Sequence, residues 1–293
     1  MNNDKLLEAY MRAYLYELET KLNKNSQILA TVKFQQDEAN TDKEIKAVLK
    51  SFILNHCTKI TLIDNVEIDE VRYEINKDCF SIKEALIPGL DYDLNNDIIH
   101  RIAASTNSVF VNPDLVLKCF FWGKEVYQKI ELKSTKNNNI PGSSVQQVLP
   151  DEWVIFIQHK DGGSIKTITS KYKNSISGTM QFPDRSPRPQ ISYNELNKWL
   201  HEYRAVIDKT LVFKKDNDDN EKTELLTNWQ GILSKRWLKV LLSNKKSKEP
   251  WFNNNLRKFA IELLDYYDKL SDSEKTLFKE NIVRNIEADN NED

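Results

Sequence analysis

Nothing in this chain asks for a covalent or metal staple. Its three cysteines, Cys57, Cys79 and Cys119, are odd in number and show no metal-ligand spacing. That excludes a disulfide framework or a zinc module and fits reduced thiols in a cytosol. The four histidines, His56, His100, His159 and His201, are scattered and make neither a zinc nor an HNH pattern. No apolar run approaches the ~20 residues that cross a bilayer, so no membrane partner is expected. The opening residues 1–21 carry charges throughout and have no apolar h-region, so no signal peptide and a cytoplasmic location are expected. Charge of one sign is also missing: 42 Lys and Arg face 44 Asp and Glu, a net of −2. Part of that deficit is an acidic tail, Glu287, Asp289, Glu292 and Asp293. The balance argues against a protein that coats nucleic acid everywhere, but a local basic face remains possible. There is no internal repeat.

What is present suits a soluble globular chain. At 293 residues, 40% hydrophobic and 29% charged, it can bury a core without external support. Leu6, Leu7, Tyr10, Tyr14 and Leu18 recur at helical spacing. Thr41-Asp42-Lys43-Glu44 reads as a capping box opening a helix through Ile45, Val48, Leu49 and Phe52. The first hundred residues therefore read as mostly helical, with a β-like stretch at 59–63 and a short helix at 97–104. The middle is β-rich. The apolar run from Leu115 to Phe121, a turn at Trp122-Gly123-Lys124-Glu125 and a returning strand to Ser134 predict a hairpin. Residues 136–141 read as a polar loop, after which Ser143 or Ser144 caps a helix carrying Gln146 and Gln147. A buried strand is expected at 153–157, and a turn at Asp161-Gly162-Gly163 leads into the stretch 165–169. Residues 181–189 read as an extended loop, because their prolines block helix and ladder alike. Ser192-Tyr193-Asn194-Glu195 is a second capping box, starting a helix through Trp199 and Tyr203. A charged linker at 214–222 leads to helices at 225–242 and 250–270, and Ser271-Asp272-Ser273-Glu274 caps a last one. The expected class is α/β (α+β), a mixed central β-sheet flanked by helices, with extra N- and C-terminal helices. The expected division is 1–213 and a C-terminal helical part at 214–293.

Chemistry concentrates in the hairpin. Asn112-Pro113-Asp114-Leu115-Val116-Leu117 places an acid at the start of one strand, and Gln128-Lys129-Ile130-Glu131-Leu132-Lys133-Ser134 ends the next with an acid and a lysine. Residues i and i+2 of a strand share a face, so Glu131 and Lys133 project together, and Asp114 joins them if the strands pair. Phosphodiester hydrolysis needs an activated water and stabilised charge on phosphorus oxygens, which Mg2+ on carboxylates can provide. Asp114, Glu131 and the backbone carbonyl of Leu132 supply three hard oxygen ligands. Lys133 is placed to orient or help deprotonate the water, or to neutralise developing charge. The plain alternative is a solvated strand face with a cross-strand ion pair. Against it, the pair ends an otherwise apolar strand and runs into Ser134-Thr135-Lys136.

Pro113-Asp114 with Glu131-Leu132-Lys133 resembles the PD-(D/E)xK nuclease superfamily, whose best-known members are type II restriction endonucleases. The resemblance covers roughly residues 97–170. It implies a restriction-endonuclease-like core, Mg2+-dependent cleavage of double-stranded DNA, Asp114 and Glu131 as metal ligands and Lys133 as the catalytic lysine. A restriction enzyme further implies a homodimer, since a palindromic site mirrors two-fold protein symmetry, and a partnering DNA methyltransferase. Sites in this superfamily often take another acid from an early helix, for which Glu17, Glu19, Glu44, Glu70 and Asp97 are candidates. Lys136, Asn137, Asn138, Asn139, Ser143, Ser144, Gln146, Gln147, Arg185 and Arg188 are candidate DNA contacts. Lys166, Lys171 and Lys173, then Lys235, Arg236 and Lys239, then Lys245, Lys246 and Lys248 form basic clusters able to track phosphates. Trp229 and Trp237, beside the second cluster, read as core. Pro183-Asp184 reads as a turn, because no ExK strand follows it. Two other readings stand beside restriction: a repair, recombination or transposon nuclease of the same fold, and a non-catalytic DNA- or partner-binding protein. Mg2+-dependent plasmid cleavage separates the last from the others, and discrete bands separate restriction from general nuclease action.

Overall fold

The computed structural model describes residues 3–30, 32, 38–88, 113–143, 148–160, 164–181, 188–214, 220–243 and 250–292. The helix-spaced aromatics near the N-terminus build α1 (Asn3–Lys24), with Tyr10, Tyr14, Leu18 and Leu22 fully buried. A single turn, α2 (Gln27–Ala30), follows, then α3 (Glu38–His56). α3 starts ahead of the expected capping box. Nothing between Glu38 and Thr41 stops a helix, and Glu38 and Ala39 are good helix formers.

The mostly helical reading of the first hundred residues is corrected by three strands, β1 (Asn65–Ile68), β2 (Val71–Glu74) and β3 (Phe80–Leu86). The β-like stretch at 59–63 is not one of them. Ile60 and Ile63 are buried as their hydrophobicity demands. The backbone N–H groups of Thr61 and Leu62, however, donate to the Glu17 carboxylate on α1, which takes the place of a neighbouring strand.

The central sheet runs β3, β4 (Leu115–Phe121), β5 (Lys124–Thr135), β7 (Trp153–His159), β8 (Ile165–Lys171). It is mixed: β5 and β7 are parallel and every other pair antiparallel. Trp122 and Gly123 turn the β4–β5 hairpin with φ of 47° and 82°, the left-handed pair of a type I′ turn. All of β7 from Trp153 to Gln158 is buried, as expected for a strand covered on both faces. α1 and α4 (Tyr193–Tyr203) pack on β8, and α3 packs on β3. The Ser192 hydroxyl caps α4 by accepting from Glu195 N at 3.3 Å, as its motif predicts.

Two smaller sheets complete the body. β11 (Arg204–Ile207) and β12 (Thr210–Phe213) return to pair in parallel with β1. β6 (Asn139–Pro141), β10 (Arg188–Ser192) and β9 (Ile176–Gln181) form the third sheet. The loops expected at 136–141 and 181–189 are thus partly strand. Pro141 sits on the edge strand β6, and the β9–β10 register shifts between Pro189 and Ile191, two positions where a missing N–H is tolerated.

α5 (Asn220–Thr227), α6 (Trp229–Leu242), α7 (Pro250–Asp268) and α8 (Asp272–Glu292) follow. α5 therefore begins inside the expected 214–222 linker. The predicted box before α8 is complete: Ser271 N donates to Glu274 Oε2 at 2.8 Å, and Glu274 N to Ser271 Oγ at 3.4 Å. Among the described residues no helix is long and apolar enough to cross a membrane.

Candidate functional site

The β4–β5 ladder ends at Leu115 opposite Ile130. One further step in that register sets Asp114 opposite Glu131. Past this point β5 has no β4 to bond. The N–H of Leu132 is satisfied by Asp114 Oδ2 instead, at 2.7 Å. The N–H and C=O of one strand residue face the same edge, so the Leu132 carbonyl faces the side where Asp114 sits. Side-chain alternation puts Lys129, Glu131 and Lys133 on one face of β5. The Glu131 residue is only 5% exposed. Its Oε1 lies 2.6 Å from Lys133 Nζ and accepts a hydrogen bond from the Ser143 hydroxyl. Asp114 Oδ1 meets Lys46 Nζ of α3 at 2.8 Å. The side chains of Asp114, Lys133 and Lys46 are 16%, 16% and 19% exposed, so the cluster reaches solvent at its outer edge.

Burial pushes the Glu131 carboxyl above its ordinary range; the Lys133 ammonium pulls it down, and the negative charge of Asp114 raises it again. Hydrogen bonds from Lys133 and Ser143 also lower it, without cancelling the effect of burial. A second ion pair lies behind the first. Lys129 Nζ and Glu152 Oε1 are 3.5 Å apart, both side chains 10% exposed. Burial pushes Glu152 up to about 7, with Lys129 opposing and Glu131 adding to the rise.

Ser143 reaches Glu131 because Gly142 lets the chain pass close to its neighbours. Gly142 N donates to the Pro189 carbonyl at 2.7 Å, and Ser143 N to Tyr172 Oη at 2.9 Å. A Cβ on Gly142 would fall on Tyr172 Oη and within 2.7 Å of the Pro189 oxygen. Arg188 lies near Tyr172, whose phenol senses its charge, and the Arg188 Nε is buried with no hydrogen-bond partner among the described residues.

The structure thus brings together Asp114, Glu131, Lys133, the Leu132 backbone and Ser143, with Arg188 near Tyr172. Lys136, Asn137, Asn138 and Asn139 are exposed where β5 ends. Of these, Asn138 Oδ1 accepts from Gln158 Nε2 at 3.1 Å. Ser144, Gln146, Gln147, Arg185, Asp97, the 97–104 helix, Pro183-Asp184 and Lys245, Lys246 and Lys248 lie outside the described residues.

The early acids have other occupations. Glu17 also pairs with Lys21 at 2.7 Å, and Glu19 takes Arg204 and the Thr169 N–H. Glu44 is exposed, and Glu70 is exposed in the β1–β2 turn. Among the described residues no group of three or more Asp, Glu, His or Cys gathers. Where an acid from an early helix was expected, α3 supplies Lys46. Lys171 and Lys173 are engaged with Asp151. On α6, Trp237 is exposed and Trp229 half-buried, so neither is core. Sequence reasoning missed Lys46, the Lys129–Glu152 pair and Tyr172. Only Lys129 carried a signal, standing two residues before Glu131 on the same strand.

Compared with known proteins, the chain matches no family model and no curated protein.

Proposed function

We propose that this chain is a Mg2+-dependent endonuclease acting on double-stranded DNA, a type II restriction enzyme of the PD-(D/E)xK kind. The observation carrying this reading is the convergence of Asp114, Glu131, Lys133 and the Leu132 backbone at the point where β4 stops and β5 continues. Two carboxylates and a carbonyl form a hard oxygen set that suits Mg2+, an ion that keeps several of its waters. Asp114 and Glu131 would hold it, and when bound it lowers the pKa of a water and neutralises phosphate charge.

The chain's own residues do the rest. The Leu132 N–H fixes one oxygen of Asp114, and Lys46 holds the other. Ser143 and Lys133 fix Glu131 and oppose the rise that burial imposes on its carboxyl. Lys133, held at 2.6 Å from Glu131, presents its ammonium where it can orient the attacking water or balance charge on the phosphate. Cutting both strands of a symmetric site calls for a homodimer, with a DNA methyltransferase protecting the host site and a cytoplasmic location.

The test is digestion of plasmid DNA with Mg2+, read as discrete fragments whose ends are sequenced. Asp114→Ala and Lys133→Ala are expected to lower the cleavage rate by at least ~10²–10⁴-fold, the usual share of a positioned proton-transfer group, while circular dichroism stays native. A Lys133→Ala protein that cuts at the wild-type rate would remove the lysine from the mechanism.

A further inference from the structure

Lys46 stands on α3 beside Ile45, which with Leu49, Phe52 and Ile53 buries that helix against the core. Its backbone is therefore anchored while its side chain crosses to the start of β4 and meets Asp114 Oδ1 at 2.8 Å. The other Asp114 oxygen is tied to the Leu132 N–H. Of these two bonds, the first is the exchangeable one, since it joins two side chains that both retain some exposure. Asp114 thus rests against Lys46, and Glu131 against Lys133. A divalent cation taking Asp114 Oδ1 must displace the Lys46 ammonium, and the repulsion between these two positive charges opposes its binding. A DNA phosphodiester, with its one negative charge, offsets part of that repulsion.

We propose that Lys46 is a positioning residue that makes metal binding depend on DNA. It serves as the resting counter-ion of Asp114, yields that carboxylate to the divalent cation, and then turns its ammonium to a DNA phosphate. This rests on the reading of Asp114 and Glu131 as metal ligands. By linkage, metal and DNA then favour each other, and the site charges fully only when substrate is present.

The experiment measures Mn2+ binding to the DNA-free protein by electron paramagnetic resonance, in wild type, Lys46→Met, Lys46→Arg and Asp114→Asn. Lys46→Met is expected to bind Mn2+ roughly tenfold more tightly than wild type, in the usual range of coupling, and Lys46→Arg to resemble wild type. A second readout is the salt dependence of binding to a mixed-sequence duplex. With Ca2+ present, Lys46→Met should lower the slope of log K against log salt by about 1, the loss of one phosphate contact; without a divalent ion the slope should not change. Unchanged or weaker Mn2+ binding in a folded Lys46→Met protein, or a slope insensitive to Ca2+, overturns the inference. Wild type and Asp114→Asn binding Mn2+ equally would instead overturn the metal-site reading and this inference with it. A purely structural ion pair would lower the melting temperature of Lys46→Met and move neither readout.

Discussion

At Glu131 burial raises the carboxyl's pKa while Lys133 and Ser143 lower it, and the same opposition of burial and a cation recurs at Glu152. That residue offers the clearest titration. Its carboxyl is pushed up to about 7 by burial, against an ordinary value of 4.5, with Lys129 opposing. The folded chain thus holds this proton through a range of pH where the unfolded chain has lost it. The stabilisation is full below about pH 4.5 and is lost as pH rises towards about 7, a swing on the order of 3 kcal/mol. Thermal melts are expected to show stability falling between those values. Glu152→Gln, neutral throughout, should flatten the fall. Equal slopes in both proteins would place the titration elsewhere. At this scale, the sequence made Asp114, Glu131 and Lys133 visible because strand periodicity and a single hairpin fix their relation. Lys46 and Glu152 were not visible. Each arrives from an element far along the chain, and the reach of a long side chain across a tertiary contact leaves no spacing to read.

Turn chemistry decided which elements could be read. The β4–β5 hairpin carries glycine at a left-handed position, so its signal was plain. The β1–β2 and β11–β12 hairpins turn through Asp69-Glu70 and Asp208-Lys209, again with positive φ at both residues but with no glycine. Aspartate tolerates that region; glutamate and lysine rarely enter it, and so strands flanking such turns pass unnoticed. The remaining glycine of consequence is Gly142, which needs space rather than positive φ. Gly142→Ala would press a methyl group onto Tyr172 and the Pro189 carbonyl. Both neighbours anchor the segment that delivers Ser143 to Glu131. The expected loss is about 1–3 kcal/mol, typical of overpacking, measured as a lower urea midpoint with an unchanged slope. A wild-type midpoint would mean the segment shifts freely, and that Ser143 is not held by it.

The molecule as a whole divides its apolar surface unevenly. The sheets and α1, α3 and α4 share one buried core, yet on α7 and α8, among the described side chains of 253–286, only Asn253 is buried. Leu238 and Leu242 on α6, Phe259, Ile261 and Leu264 on α7, and Leu277, Ile282 and Ile286 on α8 are all exposed. Soluble monomers rarely leave a contiguous apolar patch larger than a few hundred Å2, and a standard interface buries about 800 Å2 on each partner. Covering these side chains, each worth up to ~1.5–3 kcal/mol when fully buried, would favour association of two copies through these helices. The proposed cleavage of a symmetric site would use that association. The wild-type protein is therefore expected to run as a dimer in light scattering coupled to size exclusion. Leu264→Lys and Leu277→Lys together should raise the dimer Kd by at least ~100-fold, since ~1.4 kcal/mol lost at each position is a factor of ten. The central sheet, remote in sequence from both changes, should keep its circular dichroism signal. A wild-type protein that stays monomeric at micromolar concentration would assign these helices to another occupant and detach the two-fold symmetry from them.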